Sequence, residues 1–230
     1  MTNIEAYRWI EQLGVVPVIR ASSAKLALLA VEALLTGGIG VVEITLTVPD
    51  ALGVVQEVVR RFDKAALIGV GTVLSGEQAR AAIDAGAQFL VSPGLAVEVL
   101  QVGAALAVPI IPGALTPTEI MAARRAGANW IKVFPCAAMG GATYLRALRG
   151  PFPDLKLMPT GGVTLANLAE HIAAGAAAVG VGSELVNVEE LARGDSASLR
   201  DRARAYAAAV RDARAELTAA SKTQPLYQGA

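Results

Sequence analysis

The sequence contains few of the residues on which several classes of function depend. Its 230 residues include one cysteine and one histidine. One cysteine cannot form an intrachain disulfide and one histidine excludes a histidine-rich metal site, so we expect a chain that works without metal in a reducing cytosol. Basic and acidic residues number 20 each. The resulting net charge of zero provides no basic surface for nucleic acid or for an anionic membrane.

The sequence also contains no stretch that predicts a membrane-spanning helix, although hydrophobic residues make up 54% of the chain. The longest charge-free stretch, 99–118, contains three prolines and therefore cannot form one spanning helix. Residues 1–5 have no apolar signal-peptide core, so we expect a cytoplasmic protein. The apolar content is typical of a parallel sheet that is covered on both faces.

Short apolar, β-branched runs alternate with longer Ala- and Leu-rich segments. The runs recur every 20–27 residues, which is the length of one strand and one helix. They begin near Val15, Val41, Leu67, Phe89, Pro109, Trp130, Leu157 and Ala178. Four helical segments are followed by a glycine where a left-handed cap is expected, at Gly38, Gly86, Gly127 and Gly175. Eight such units predict an α/β fold, a single (β/α)8 TIM barrel.

The pattern predicts one domain over residues 1–230, with the barrel at about 14–219. An extra N-terminal helix over 3–13, which covers the bottom of the barrel, is predicted from apolar residues at three-residue steps. These residues are Ile4, Tyr7, Ile10 and Leu13. The eighth helix is predicted over 199–219, and its apolar face comprises Leu199, Tyr206, Val210 and Leu217. Residues 221–230 show no periodicity and predict a loose tail.

Two charged residues interrupt apolar strands. Lys132 and Glu43 each lie between two β-branched residues, so their side chains face away from those neighbours. A lysine that faces a barrel interior is driven toward its neutral amine, a nucleophile that can form a Schiff base with a carbonyl. Alternatively, Lys132 forms a structural ion pair with Glu43 or lies at the strand end in solvent. Glu43 then either moves protons or is the counter-ion of Lys132 or Arg20.

Polar residues and glycines close several other predicted strands, at the end where barrels carry their active sites. Arg20 closes the first strand, where its guanidinium suits a carboxylate, a phosphate or a surface salt bridge. The turns Thr160-Gly161-Gly162 and Gly182-Ser183 end strands seven and eight, whose loops frequently bind phosphate through backbone N–H groups. Thr72 follows the third strand, and we interpret it first as a helix cap and second as a ligand-binding residue.

The single cysteine and the single histidine receive no role in this site. A cysteine nucleophile needs a histidine base nearby, and His171 lies within the seventh predicted helix. We interpret Cys136 as a small packed residue and His171 as a helix-surface residue.

Nine short segments carry a resemblance to a known enzyme family, and they follow one another from the first predicted strand to the eighth. They are VPVIR (16–20), EITLTVPD (43–50), GVGTVL (69–74), SPG (92–94), PGALTPTE (112–119), KVFP (132–135), GPFP (150–153), PTGG (159–162) and GVGS (180–183). Together they resemble the class I aldolases for 2-keto-3-deoxy-6-phosphogluconate (KDPG) and 4-hydroxy-2-oxoglutarate (KHG). The ordered set is far more specific than any one segment.

The resemblance implies a (β/α)8 homotrimer that splits the phosphorylated keto-acid KDPG into pyruvate and glyceraldehyde 3-phosphate, with no metal or other cofactor. It makes Lys132 the Schiff-base lysine and Glu43 the general acid and base. Arg20 and Thr72 hold the pyruvate carboxylate. Many members of the family have arginine at the position of Thr47, so the resemblance leaves that cationic role to Arg20 here.

The resemblance assigns the phosphate group of the substrate to Gly161, Gly162 and Ser183, with Gly182 in the same turn as the serine. Thr160 lies where relatives that act on the galactonate epimer tend to lack threonine, which favours the gluconate substrate. The expected partner is a small phosphorylated keto-acid, with KHG as a further substrate.

Three alternatives stand beside this function. The first is an aldolase for the 6-phosphogalactonate epimer. The second is another barrel enzyme for phosphorylated sugars, an epimerase or a decarboxylase, which usually brings acidic or histidine residues to several strand ends. The third is a non-catalytic oligomeric barrel scaffold, which has no need of a buried lysine and glutamate.

Overall fold

Strands and helices alternate along the chain, as the spacing of the apolar runs predicts. The structure, a computed structural model, describes residues 2–62 and 65–223. The strands are β1 (Val15–Ile19), β2 (Val41–Thr45), β3 (Leu67–Gly71), β4 (Phe89–Val91), β5 (Ile110–Ile111), β6 (Gly113–Ala114), β7 (Trp130–Val133), β8 (Lys156–Pro159) and β9 (Val179–Val181). The helices are α1 (Asn3–Leu13), α2 (Ala24–Thr36), α3 (Ala51–Phe62), α4 (Gly76–Asp84), α5 (Val97–Leu106), α6 (Pro117–Arg125), α7 (Ala142–Arg149), α8 (Leu168–Ala173), α9 (Val188–Ala192) and α10 (Ser196–Thr223).

The helix ends follow the capping signals of the sequence. At the start of α1, the Thr2 side chain accepts a hydrogen bond from the Glu5 N–H, and the Glu5 carboxylate accepts one from the Thr2 N–H. At its end, Gly14 is a left-handed cap with φ +72°. The four glycines predicted as left-handed caps have φ between +91° and +103°. Such caps satisfy backbone groups that have no partner within a helix.

The strands form a curled parallel sheet of six strands, in the order β5-β4-β3-β2-β1-β9, and a sheet of three, in the order β6-β7-β8. The fifth predicted strand is divided at Pro112 into β5, which pairs with β4, and β6, which pairs with β7. Proline has no N–H to donate to a ladder, which explains the division. The sequence predicts one closed barrel of eight strands, whereas the described residues form nine short strands in two sheets.

The two sheets also meet away from Pro112. Isolated parallel bridges pair Leu157 with Ala176 and Thr160 with Gly180. The segment around β8 therefore lies directly beside the segment around β9, which belongs to the other sheet.

The inner faces of the strands are apolar near their amino ends, where α1 covers them. The buried cluster there contains Val16, Val41, Leu67, Phe89, Ile111, Trp130 and Met158 with Ala6 and Ile10 of α1. The Tyr7 ring stacks on Trp130 with 5.6 Å between centroids. The Tyr7 hydroxyl donates to the Ile110 carbonyl over 2.9 Å and accepts from the Ile110 N–H over 3.0 Å. α1 spans the residues 3–13 over which the sequence predicts a helix, and it packs against the amino ends of the strands.

The outer faces of the strands pack against the helices in a second and larger cluster. Within α10, Leu199, Tyr206 and Val210 are buried as predicted, but Leu217 is 40% exposed. The loose tail predicted from 221 is wrong for 221–223, because α10 continues to Thr223 through a segment rich in alanine, a strong helix former. The rest of that predicted tail, 224–230, lies outside the described residues. No helix within 2–62 and 65–223 is both long and apolar enough to cross a membrane.

Candidate active site

A cavity of about 480 Å³ lies at the carboxyl ends of the strands. Its wall is formed by Val18, Arg20, Lys132, Phe134, Thr160, Gly161, Gly182, Ser183, Val186, Asn187, Val188 and Glu189. Six of the nine residues that the sequence predicts for the site are in this wall. The other three are Glu43, Thr72 and Gly162.

Lys132 and Glu43 form a buried pair at this cavity. Lys132 reaches its wall from β7, and Nζ lies 3.6 Å from Glu43 Oε1 on β2. The two side chains are 3% and 0% exposed, so the alternative of a solvent-exposed Lys132 is wrong. Nζ also lies 5.5 Å from the centroid of the Phe134 ring, within cation–π range.

Glu43 occupies a space that a glycine leaves open. A Cβ atom on Gly71, the last residue of β3, would overlap the Glu43 carboxylate. Neither carboxylate oxygen has a hydrogen-bond partner among the described residues. Burying a charged group without hydrogen bonds costs free energy, so the pair is poorly explained by stability alone. A carboxylate beside a lysine at a cavity is an arrangement suited to proton transfer.

Arg20 and Thr72 meet at the ends of β1 and β3. Arg20 Nη1 donates a hydrogen bond to Thr72 Oγ1 over 3.3 Å. The chain turns at Thr72, which has φ +60°, and the Ser75 side chain caps α4 instead. The helix-cap interpretation of Thr72 is therefore wrong. Within the described part of the chain Arg20 forms no ion pair, so its guanidinium is available to an anion in the cavity.

Thr47, at the position of the family's arginine, is outside the cavity wall. Its hydroxyl lies 2.6 Å from that of Thr45, which donates to the Ile19 carbonyl over 2.9 Å. Since the single proton of Thr45 is used there, Thr47 is the donor in the shorter bond. The role of Arg20 as the source of positive charge stays a prediction.

The turn after β8 is attached to the segment after β7. The Cys136 N–H donates to the Thr160 carbonyl over 2.9 Å, and the Ala137 N–H donates to the Gly161 carbonyl over 3.1 Å. Gly161 and Gly162 have φ of +88° and +78°, a left-handed conformation that favours glycine. The two loops that follow β7 and β8 therefore act as one unit at the cavity.

Sequence reasoning missed the wall that α9 and the preceding turn contribute, which comprises Val186, Asn187, Val188 and Glu189. The Asn187 side chain is an N-cap that accepts hydrogen bonds from the N–H groups of Glu189 and Glu190. Asparagine followed by acidic residues is a helix-start signal that the sequence carried. The helix has only five residues, too few for a visible period.

Two further wall residues were missed although strand alternation predicts them. Val18 lies two residues before Arg20, and Phe134 lies two residues after Lys132. Side chains two positions apart share a face of a strand, so both were within reach of the sequence.

The single histidine is buried, so its assignment to the helix surface is wrong. His171 is 2% exposed, and it lies three residues after Leu168 and next to Ile172, which are also buried. That spacing predicts an inward helix face. Cys136 is buried as predicted, and burial raises the pKa of its thiol to about 11. A thiol in that state is not an activated nucleophile.

The parallel fold, the cavity at the carboxyl ends of the strands and the buried lysine–carboxylate pair define an enzyme of the α/β class. The family model described as "Aldolase: KDPG and KHG aldolase" matches residues 7–201. The chain belongs to the KDPG and KHG aldolase family. Its relatives are named aldolases, which are lyases, so this chain is a lyase.

Curated relatives from several bacteria match most of the chain. It is 36% identical over 181 residues to the KHG/KDPG aldolase of Escherichia coli K12, covering 79% of this chain and 84% of the relative. It is 37% identical over 192 residues to the 2-dehydro-3-deoxy-phosphogluconate aldolase of Treponema pallidum, covering 84% and 91%. A 2-dehydro-3-deoxy-6-phosphogalactonate aldolase of Escherichia coli K12 is 36% identical over 179 residues, covering 77% and 87%.

Two solved structures agree with this assignment. A cube-shaped, highly porous protein cage designed by fusing symmetric oligomeric domains resembles the chain with a TM-score of 0.85 at 32% identity, covering 91% of this chain and 76% of the other. The structure resembles KDPG aldolase from Legionella pneumophila with pyruvate captured at low pH as a covalent carbinolamine intermediate. The TM-score is 0.82 at 35% identity, covering 87% of this chain and 97% of the other.

Proposed function

We propose that this chain is a class I aldolase that cleaves KDPG to pyruvate and glyceraldehyde 3-phosphate through a Schiff base on Lys132. The observation that carries the proposal is the buried Lys132–Glu43 pair, 3.6 Å apart at the cavity. Replacing a buried ion pair by well-packed apolar residues often leaves the stability of a fold unchanged or raises it. The presence of this pair therefore supports a chemical role. The relative solved with a covalent pyruvate carbinolamine supports the same chemistry.

Schiff-base formation starts at Lys132 Nζ. The neutral amine attacks the C2 ketone carbon, and the proton it loses moves to the ketone oxygen to give a carbinolamine. Glu43, protonated by the Lys132 ammonium before the attack, passes that proton to the same oxygen, and water leaves. The product is a protonated imine, which draws electrons away from C3.

Cleavage of the carbon–carbon bond then uses Glu43 as a base. The carboxylate takes the proton of the C4 hydroxyl, the C3–C4 bond breaks, and its electron pair forms an enamine with the imine nitrogen. Glyceraldehyde 3-phosphate leaves. Glu43 returns the proton to C3, and water hydrolyses the imine to release pyruvate and the Lys132 amine.

The carboxylate end of the substrate is assigned to Arg20 and Thr72. The guanidinium and the hydroxyl are 3.3 Å apart, close enough to bind one carboxylate together. Arg20 lies in the wall that also contains Lys132, which supports a keto-acid whose carboxylate and C2 lie side by side.

The phosphate end is assigned to the turns that contain Gly161, Gly162, Gly182 and Ser183. The Gly161 carbonyl accepts from Ala137 over 3.1 Å, and the N–H of a trans peptide points opposite to its carbonyl, so the Gly162 N–H is turned away from that contact. Backbone N–H groups of glycine turns bind anions well, which supports this assignment.

The finer features of architecture and assembly belong to the same proposal. The bridges Leu157 to Ala176 and Thr160 to Gly180 support closure of the two sheets into one (β/α)8 barrel within a single domain over 1–230. The likeness to a cage designed by fusing symmetric oligomeric domains supports an oligomeric assembly. The homotrimer and the cytoplasmic location stay predictions from the resemblance and the sequence.

The first test is borohydride trapping with pyruvate, followed by peptide mass mapping. We expect a reduced pyruvate adduct on Lys132. No adduct would overturn the Schiff base and favour the phosphorylated-sugar epimerase, the decarboxylase or the scaffold. Turnover of KDPG is expected to survive a chelator, and chelator-sensitive turnover would contradict the metal-free prediction.

The second candidate is cleavage of the 6-phosphogalactonate epimer, which one relative at 36% identity is named for. Thr160, which is 5% exposed and lies in the cavity wall, favours the gluconate substrate. The ratio of kcat/KM for the two C4 epimers decides between them, with KHG measured beside both. A higher value for the galactonate would replace the first candidate.

A further inference from the structure

We infer that Asn167 is a positioning residue for the phosphate-bearing end of the substrate. It orients the Gly161–Gly162 turn and acts through Gly162, without itself lining the cavity. The inference rests on the proposed function, since it concerns the turn to which the phosphate is assigned there.

The Asn167 side chain holds the turn and not its own helix. Asn167 is the N-cap residue of α8, a position from which asparagine usually accepts a hydrogen bond from the second or third helical N–H. Its side chain makes no cap hydrogen bond. Instead, Oδ1 accepts from the Thr164 N–H over 2.9 Å, and Nδ2 donates to the Gly162 carbonyl over 2.9 Å. Both ends of the carboxamide are therefore used within 162–167.

The hydrogen bond from Asn167 Nδ2 to the Gly162 carbonyl sets the direction of the Val163 N–H, which belongs to the same peptide. The Gly161 carbonyl is held by Ala137, and the Gly162 carbonyl is held by Asn167. Because N–H and C=O point in opposite directions in a trans peptide, the N–H groups of Gly162 and Val163 are both turned away from these two partners. Two successive oriented N–H groups suit an anion, and loss of the Asn167 bond would leave the second peptide free to rotate.

The buried His171 contacts the backbone carbonyl of Asn167. The backbone N–H of His171 lies 3.3 Å from the Asn167 carbonyl oxygen, and its ring Nδ1 lies 2.9 Å from the same atom. A carbonyl only accepts hydrogen bonds, so Nδ1 carries the proton. On the other side of the ring, a Cβ built on Gly141 would lie 3.5 Å from Nε2. His171 thus lies between the loop after β7 and the loop after β8.

A role confined to stability predicts a different result from a positioning role. A general loss of structure would weaken binding of every ligand of the cavity. A misdirected N–H at the phosphate end would weaken binding of KDPG and leave pyruvate, which has no phosphate, unaffected. The comparison of these two ligands in one variant therefore separates the two roles.

The experiment uses Asn167→Asp, which keeps an acceptor for Thr164 and loses the donor to Gly162, and Asn167→Ala, which loses both without adding charge. The control is Asn129→Ala, at an exposed residue just before β7 at the opposite end of the strands. For both Asn167 variants we expect KM for KDPG to rise about tenfold, the size of one net hydrogen bond. We expect kcat, and the pyruvate concentration that half-saturates borohydride trapping, to stay unchanged.

Equal rises for KDPG and pyruvate, or no rise for either, would overturn the inference. A rise with Asn167→Asp alone would assign the effect to the added negative charge and would overturn it too. If the unaltered protein traps no pyruvate on Lys132, the proposed function fails first and the inference fails with it. If trapping succeeds and the variants show no selective rise, only the inference fails.

Discussion

The inner face of the strands has an amino-end region and a carboxyl-end region that differ in chemistry although they belong to the same strands. In the amino-end region the side chains are large and apolar and pack with α1: Val16, Val41, Leu67, Phe89, Ile111 and Trp130. Two positions further along four of these strands, the residue is glycine or charged: Glu43 after Val41, Gly69 after Leu67, Gly113 after Ile111 and Lys132 after Trp130. The cavity lies only at the second of these regions.

The difference shows how one face can serve stability and chemistry separately. Buried apolar surface contributes about 25 cal/mol per Å², so the amino-end region stabilises the fold. The carboxyl-end region gives up part of that contribution, because glycines such as Gly71 leave room for Glu43. It also holds two buried charges whose desolvation costs free energy. Substitutions in the carboxyl-end region should therefore lower kcat, whereas those in the amino-end region should lower the free energy of unfolding and leave kcat unchanged.

The largest expected effect is that of Lys132→Ala in the carboxyl-end region. We expect no measurable KDPG turnover and no pyruvate adduct, because the nucleophile is lost. The matched control is Lys156→Ala, at an exposed lysine on the neighbouring strand β8 whose Nζ pairs with Glu11 at 2.5 Å. That control should keep full turnover. Similar turnover in the two variants would show that Lys132 is structural.

Glu43→Gln should have the next largest effect. We expect kcat to fall about 10²- to 10⁴-fold, the usual contribution of a general acid and base, while Lys132 still traps pyruvate. Because Glu43 also gives a proton during imine formation, trapping should be slower than in the unaltered protein, and its complete loss would mean that no other group can supply that proton. Glu11→Gln, at a glutamate on α1 whose side chain is 42% exposed, is the control and should leave kcat unchanged.

Gly71→Ala tests whether the space in the carboxyl-end region exists for Glu43. A Cβ there would overlap the carboxylate, so we expect kcat to fall and the free energy of unfolding to drop by about 1–3 kcal/mol. Urea unfolding and steady-state kinetics measure the two effects. In Gly76→Ala the new Cβ would lie 3.4 Å from its nearest neighbour, and neither quantity should fall. Unchanged kcat in Gly71→Ala would break the proposed division between the regions.

Tyr7→Phe tests the amino-end region. It leaves the buried backbone groups of Ile110 without their hydroxyl partner. We therefore expect the free energy of unfolding to fall by about 1–2 kcal/mol and kcat to stay unchanged. Urea unfolding measured beside kcat checks this. A matching loss of kcat would show that the two regions are coupled.

The pH dependence of unfolding sharpens the same point. Burial raises the pKa of Tyr7 from 10.0 to about 12. As the pH rises, the Tyr7 hydroxyl ionises in the unfolded chain before it ionises in the folded protein. The stabilisation from a neutral Tyr7 is therefore complete below pH 10 and is lost as the pH rises through about 12. Between pH 10 and 12 the free energy of unfolding should fall less steeply with pH in Tyr7→Phe than in the unaltered protein. Identical slopes would contradict the assignment.

Much of the candidate site was predictable because its signals are local. A lysine or a glutamate inside an apolar run stands out, and alternation gives the direction of its side chain. Thr72 was misjudged because its partner Arg20 is 52 residues away in sequence, and α9 was missed because its five residues are too few to show a period. His171 was misjudged although its spacing from Leu168 and Ile172 indicated an inward face. The division of the fifth strand at Pro112 was signalled by the proline, but the change of pairing partner depends on the curvature of the sheets.

By itself the sequence determined the alternation of strands and helices, the glycine caps at Gly38, Gly86, Gly127 and Gly175, and the presence of charged residues in apolar strands. These follow from preferences within a few neighbouring residues. Only the tertiary structure decided that Lys132 and Glu43 lie 3.6 Å apart, and that Arg20 contacts Thr72. Those distances join strands that belong to different sheets or are not adjacent, so they depend on register, curvature and packing over the whole fold, which no local pattern specifies.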